Sequence, residues 1–287
     1  MSGRGYVNPD ALIEPESLAA ALGAKDLVVI DITKSLPNEH RDDRAAYRDA
    51  HIPGALFLDI DAVADRMTPL PHMLPAAEDF ARAIGAFGIG KATRVVFYDQ
   101  KGMSSAARGW WMMRVFGHDR VAVLDGGLPA WRAAGFSVAT GEPATPDPVA
   151  FVPAFRPHLV ADLARVQAVC AGDDIVLVDA RPAGRFRGEA PEPRPGIRGG
   201  HVPGACNLPH LDLLDADGRF RPAGELRLRL AEAGLDGSRP AIAMCGSGVS
   251  ACAIALAAHL VGLPEVAVYD GSWTEWGGRD DTPIETG

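Results

Sequence analysis

Short apolar runs alternate with stretches of helical spacing along this chain, and the alternation occurs twice. Leu27-Val28-Val29-Ile30-Asp31 reads as a buried strand ending on an acid, and Ile175-Val176-Leu177-Val178-Asp179 repeats the form. Val95-Val96-Phe97-Tyr98-Asp99 is matched in the same way by Ala241-Ile242-Ala243-Met244-Cys245. Helical spacing covers residues 76–87 and 106–116 in the first half, and 159–171 and 251–261 in the second. Strands alternating with helices predict an α/β fold, with a parallel sheet covered by helices on both faces. Ligands of such sheets gather at the carboxyl ends of the strands.

The turns repeat as well. His51-Ile52-Pro53-Gly54-Ala55 recurs as His201-Val202-Pro203-Gly204-Ala205, and Leu124-Asp125-Gly126-Gly127 as Tyr269-Asp270-Gly271-Ser272. Matches in one order, at offsets of about 145–150 residues, mean a duplicated domain and not a short solenoid repeat. The expected division is a first domain over 1–142, a proline-rich linker over 143–157 and a second domain over 158–287. His51, His201, Asp31 and Asp179 stand in both copies, so tight turns and strand ends explain them better than chemistry does.

Composition narrows the class. The 287 residues are 47% hydrophobic and 23% charged, as in a globular protein with a real core. A net charge of −9 with no dense Lys/Arg block argues against nucleic acid or an anionic membrane as partner. No run approaches membrane-spanning length, and the first residues lack an apolar signal core. Four cysteines without framework or zinc-ligand spacing fit a reducing cytoplasm and no metal site.

Cys245 carries the candidate chemistry. It opens the bend Cys245-Gly246-Ser247-Gly248-Val249-Ser250, between a buried strand and a helix N-terminus. Backbone N–H groups converge at such a place and favour the thiolate, the nucleophilic form. The competing reading, a cysteine that only packs, is the expectation for Cys170, Cys206 and Cys252. The five tryptophans are expected to pack too, with Trp273 a candidate to line the cleft. The repeat supplies a contrast: the first half has Asp99 in the place of Cys245, so only the second half holds the thiol. A cysteine-dependent phosphatase would need arginine six residues on, where this chain has Ala251.

Two tandem copies with these turns, and a thiol in the second alone, resemble the rhodanese-type sulfurtransferases over nearly the whole chain. The resemblance implies two rhodanese-like domains, the second catalytic. Members that prefer thiosulfate follow the cysteine with Arg and Lys. Gly246 and Ser247 are similar instead to the 3-mercaptopyruvate branch, with Ser250 in place of its usual Thr. The segment Gly184-Arg185-Phe186-Arg187-Gly188 with Pro191-Glu192-Pro193-Arg194 is similar to the one whose arginines hold the keto-acid carboxylate. That implies Arg185 and Arg194 as substrate ligands, since a guanidinium grips a carboxylate bidentately; Arg187 is left as a structural or surface residue. Asp61, and His72 in Pro71-His72-Met73-Leu74-Pro75, match the acid and histidine of a relay to the loop serine, here Ser247. Amides of Gly246, Gly248, Val249 and Ser250 are implied to steady the sulfur anion.

The activity so implied moves sulfur from 3-mercaptopyruvate through a Cys245 persulfide to a thiol such as thioredoxin or a small thiol, or to cyanide. It needs no cofactor or metal. Two alternatives stand beside it: thiosulfate as the donor, and a non-catalytic sulfur-carrier or partner-binding module.

Overall fold

The computed structural model describes residues 4–172 and 174–287. The first half contributes strands β1 (Leu12–Ile13), β2 (Leu27–Asp31), β3 (Leu56–Phe57), β4 (Arg94–Tyr98) and β5 (Val121–Leu124). The second contributes β6 (Val160–Ala161), β7 (Val176–Asp179), β8 (Cys206–Asn207), β9 (Ala241–Met244) and β10 (Ala267–Tyr269). Each set forms a five-stranded parallel sheet, in the orders β1-β5-β4-β2-β3 and β6-β10-β9-β7-β8. The identical order is the expected duplication in three dimensions. Strands β4 and β9 lie at the sheet centres, covered on both faces, which is why they read as unbroken apolar runs.

Around the first sheet run α1 (Pro15–Ala21), α2 (Asp43–Asp49), α3 (Ile60–Val63), α4 (Ala77–Ala86), α5 (Ala106–Val115) and α6 (Gly127–Ala133). Around the second run α7 (Leu163–Cys170), α8 (Ala183–Phe186), α9 (Ala223–Glu232), α10 (Ala251–Leu260) and α11 (Ser272–Trp276). Helix α10 is apolar on nearly every side because it is packed on every side, against its own sheet and against α5 of the first domain. One apolar cluster therefore runs unbroken from Phe97 through Trp110 and Met113 to Ile254 and Leu256. The domain interface is core, and it has an approximate two-fold pattern. The Leu74 amide donates to Asp270 at 2.7 Å, and the Phe220 amide donates to Asp125 at 2.9 Å.

The proline-rich stretch over 140–156 contains no helix or strand. It is laid along the first domain, the Val149 amide donating to Gly85 (3.0 Å) and the Ala154 amide to Phe116 (2.9 Å). Among the described residues no helix is long and apolar enough to cross a membrane.

Three expectations change. Helical spacing from residue 159 gives way to a strand at Val160–Ala161, because pairing with Val268 and Tyr269 outweighs local preference. The helix starts only after Asp162, whose side chain caps it by accepting from the Arg165 amide at 2.9 Å. Cys170 and Cys206 are exposed and do not pack: one ends α7, the other lies on the edge strand β8. Trp273 does not line the cleft; it is buried under Arg181, whose guanidinium stacks 4.3 Å from its ring centre. Cys252 is buried as expected. The repeated histidines hold turns: His51 Nδ1 lies 3.0 Å from the Tyr47 carbonyl and His201 Nδ1 2.9 Å from that of Phe186.

Candidate active site

Cys245 follows the last residue of β9, and the bend over 245–250 leads into α10. The bend is anchored from the side of the β10–α11 turn. Ser272 Oγ accepts from the amides of Cys245 and Gly248, both at 3.1 Å, and donates to the Tyr269 carbonyl at 2.7 Å. The Cys245 carbonyl accepts from the Trp273 amide (3.0 Å), and the Gly246 carbonyl from the amide (2.8 Å) and hydroxyl (2.6 Å) of Thr274. In a trans peptide the N–H of the next residue points opposite to the carbonyl. The amides of Gly246 and Ser247 are thereby turned away from these anchors, and neither has an acceptor among the described residues.

The first domain shows what such a bend holds. There Asp99 stands in the place of Cys245, and its carboxylate accepts from the amides of Lys101 (2.9 Å), Ser105 (2.8 Å) and Ala106 (2.9 Å). Converging amides at a helix N-terminus suit an anion; one copy supplies a fixed carboxylate and the other a sulfur.

Cys245 is only 2% exposed, yet it lines a cleft of about 280 Å³ between the domains, together with Gly246, Ser247, Val249, Ser250, Arg185, Arg194 and His72. Lys101 and Ser104 of the first domain's own bend form part of the wall. Arg185, on α8, is held by Glu192 through Nε (3.1 Å) and Nη2 (2.5 Å), and Glu192 also accepts from Arg181 at 2.9 Å. A Cβ on Gly246 would lie 3.0 Å from Arg185 Nη2, so glycine is what lets the guanidinium lie against the bend. Arg194 has no carboxylate partner among the described residues.

His72 sits in the left-handed region (φ 64°) and is buried. Its Nδ1 lies 2.5 Å from Asp61 Oδ1, and Lys34 holds the other Asp61 oxygen at 2.5 Å. These partners pull the Asp61 carboxyl well below the usual carboxylate range, His72 first among them. His72 Nε2 lies 3.0 Å from Arg194 Nη2. A guanidinium has only donors, so Nε2 accepts and the proton is on Nδ1. The imidazole is accordingly neutral, and its pKa is lowered, by burial first and by the charges of Arg194 and Lys34 against the opposing pull of Asp61. Among the described residues no group of three His, Cys, Asp or Glu side chains is arranged to hold a metal ion.

The sequence model of the rhodanese-like domain matches residues 14–134 and again 162–279. The chain belongs to the rhodanese family. It is 43% identical to human 3-mercaptopyruvate sulfurtransferase, over 91% of this chain and 88% of that one. It is 42% identical to the mitochondrial thiosulfate/3-mercaptopyruvate sulfurtransferase 1 of Arabidopsis thaliana, over 96% and 78%. The crystal structure of SseA from Escherichia coli, described with the fold of 3-mercaptopyruvate sulfotransferases, superposes with a TM-score of 0.83 at 34% identity, covering 92% of this chain and 98% of the other.

Of the rhodanese site residues read from the sequence, Cys245, Gly246, Ser247, Val249, Ser250, Arg185, Arg194 and His72 meet in one cleft, and Asp61 supports His72 from the edge. Two expectations change in detail. The Gly248 amide does not face the cleft, because Ser272 takes it. No hydrogen bond joins His72 to Ser247 among the described residues; Arg194 occupies the histidine nitrogen that such a relay would use. Sequence reasoning missed Lys34, Arg108, Arg181, Glu192, Asp270 and Ser272. The repeat held one signal, since Ser272 replaces a glycine of the first copy and adopts φ 49°, a conformation that a side chain adopts only with support.

Proposed function

We propose that this rhodanese-family sulfurtransferase takes sulfur from 3-mercaptopyruvate onto Cys245 and passes it to a thiol. The observation that carries the reading is the cleft itself: one thiol at the root of an amide-lined bend, faced by two guanidinium groups of which Arg194 lacks a carboxylate partner among the described residues. Arg194 and Arg185 hold the substrate carboxylate and keto oxygen. The Cys245 thiolate attacks the substrate sulfur; the sulfur–carbon bond breaks, and its electron pair leaves as the enolate of pyruvate. Ser247 gives the enolate a proton and recovers the one the substrate thiol sheds as its sulfur becomes the persulfide anion; Nε2 of His72, which Asp61 orients, accepts that proton and hands it to Ser247. The amides of Gly246 and Ser247 steady the charge on sulfur.

In the second half-reaction an acceptor thiolate attacks the outer sulfur and releases Cys245 as thiolate, which makes the kinetics ping-pong. The acceptor we propose is a small thiol or the exposed thiol of a thioredoxin-like protein. The unpaired cysteines favour a reducing compartment such as the cytoplasm. Division at 1–142, 143–157 and 158–287 is consistent with the two matched segments.

The test is to mix the protein with 3-mercaptopyruvate, follow pyruvate, and weigh the intact chain. Pyruvate release with one added sulfur on the Cys245 peptide is expected, and Cys245→Ser should abolish both. A faster reaction with thiosulfate would overturn the choice of donor. A persulfide that no thiol can discharge would leave a carrier in place of an enzyme.

A further inference from the structure

We infer that Arg108, a residue of the first domain, is the positioning residue that holds His72 in register with the sulfur-bearing bend of the second. The inference rests on the reading above. Arg108 lies on α5 and is completely buried. Its guanidinium reaches three separate segments. Nη1 donates to Asp270 at 2.7 Å and to the Gly248 carbonyl at 3.1 Å; Nη2 donates to the His72 carbonyl at 2.6 Å. Its Cζ lies 4.6 Å from the Trp111 ring centre, which helps fix its orientation.

Each contact acts on a part of the reaction centre. His72 is in a left-handed conformation that a residue with a Cβ keeps only when its surroundings over-determine it. Arg108 grips its carbonyl, and Asp270, the partner of Arg108, accepts from the Leu74 amide two residues on at 2.7 Å. On the other side, binding the Gly248 carbonyl turns the Val249 amide the opposite way. Gly248 is tight against the same pair: a Cβ there would lie 2.7 Å from the Asp270 carbonyl oxygen and 3.0 Å from Arg108 Nη1. The rigid, planar fork of arginine serves acceptors in several directions at once, which a lysine ammonium on its flexible stem does not reproduce.

The duplication gives an internal control. Asp125 accepts from the Phe220 amide as Asp270 accepts from Leu74, so the scaffold builds the same contact twice. In the repeat, the position of Arg108 is held by Ala253, and the matching Asp125 oxygen has no hydrogen bond among the described residues, with only Arg4 Nε 4.0 Å away. The half without the thiol folds without this guanidinium. Its presence beside the working bend is thus tied to the site and not demanded by the fold.

The test is a double-mutant cycle on the full chain, with pyruvate release from 3-mercaptopyruvate as readout. Arg108→Lys is expected to lower kcat about 10- to 100-fold with KM within about threefold, while mass still shows sulfur on Cys245. In a His72→Asn background the same change should cost less than about threefold, because the two act as one unit. Asp270→Asn, which keeps acceptor and shape, should show the same non-additivity and serves if the arginine variant does not fold. In the unaltered protein, the Leu74 and Cys245 amides should exchange hydrogen at rates within about tenfold, as one opening unit. Additive losses, a fall in Tm with kcat intact, or unrelated exchange rates at those amides would each overturn the inference. Failure of the wild type to release pyruvate would instead refute the proposed donor.

Discussion

Arg194 is the side chain whose removal tests most of the site at once. It contacts His72 Nε2 at 3.0 Å in the free protein and, in the proposed reaction, holds the substrate carboxylate. Both tasks cannot be done by the same N–H at the same time, so substrate binding should draw the guanidinium off the imidazole and free Nε2 for Ser247. Arg194→Met removes a hydrogen bond to a charged group, worth about 1.5–3 kcal/mol, and so should lower kcat/KM by about 10- to 150-fold at pH 8. The variant should also change the pH profile. Burial is the largest influence lowering the His72 pKa, and the charges of Arg194 and Lys34 lower it further. Taking away one cation raises that pKa, so the acid limb of kcat/KM, where His72 gains a proton and stops accepting one, moves to higher pH. Pyruvate release measured from pH 5 to 9 on both proteins checks it. An acid limb that stays in place or moves to lower pH in the folded variant would refute both the tautomer assignment and the gating by Arg194.

Two more tests bear on donor choice and on stability. In Gly246→Arg, a second guanidinium would be forced against Arg185, since even a Cβ there lies 3.0 Å from Nη2. Like charges at this distance repel by roughly 1–4 kcal/mol, so the preference for 3-mercaptopyruvate over thiosulfate should fall by about tenfold or more; an unchanged ratio of kcat/KM values would count against a role for Gly246 in donor choice. Asp125 is buried at the domain interface and its pKa is raised to about 6, burial being the main cause. Its folded-state value lies above its unfolded one, so ionisation costs stability as pH rises through about 6 and costs nothing below the unfolded value. Asp125→Asn should therefore be more stable than wild type by roughly 1–3 kcal/mol at pH 8, with the advantage vanishing by about pH 4. Urea titrations showing the same difference at both pH values would contradict this.

Much of the molecule follows from residues near one another in the chain. The buried strands, the repeated turns and the helices after them are local patterns, and their recurrence in one order is enough for two α/β domains. The thiol could be placed for the same reason: Cys245 belongs to a strand, a glycine-bearing bend and a helix that adjoin in sequence. Residue 160 shows where local reasoning stops, because two residues of strand exist only through pairing with Val268 and Tyr269. The working geometry of the cleft is decided in space. Arg108 meets Gly248 and Asp270, Leu74 meets Asp270, and Arg194 meets His72, each across more than a hundred residues. A sequence lists the acids and bases a fold can bring together. Which nitrogen faces which oxygen depends on how two domains dock through α5 and α10, and no local pattern encodes that contact.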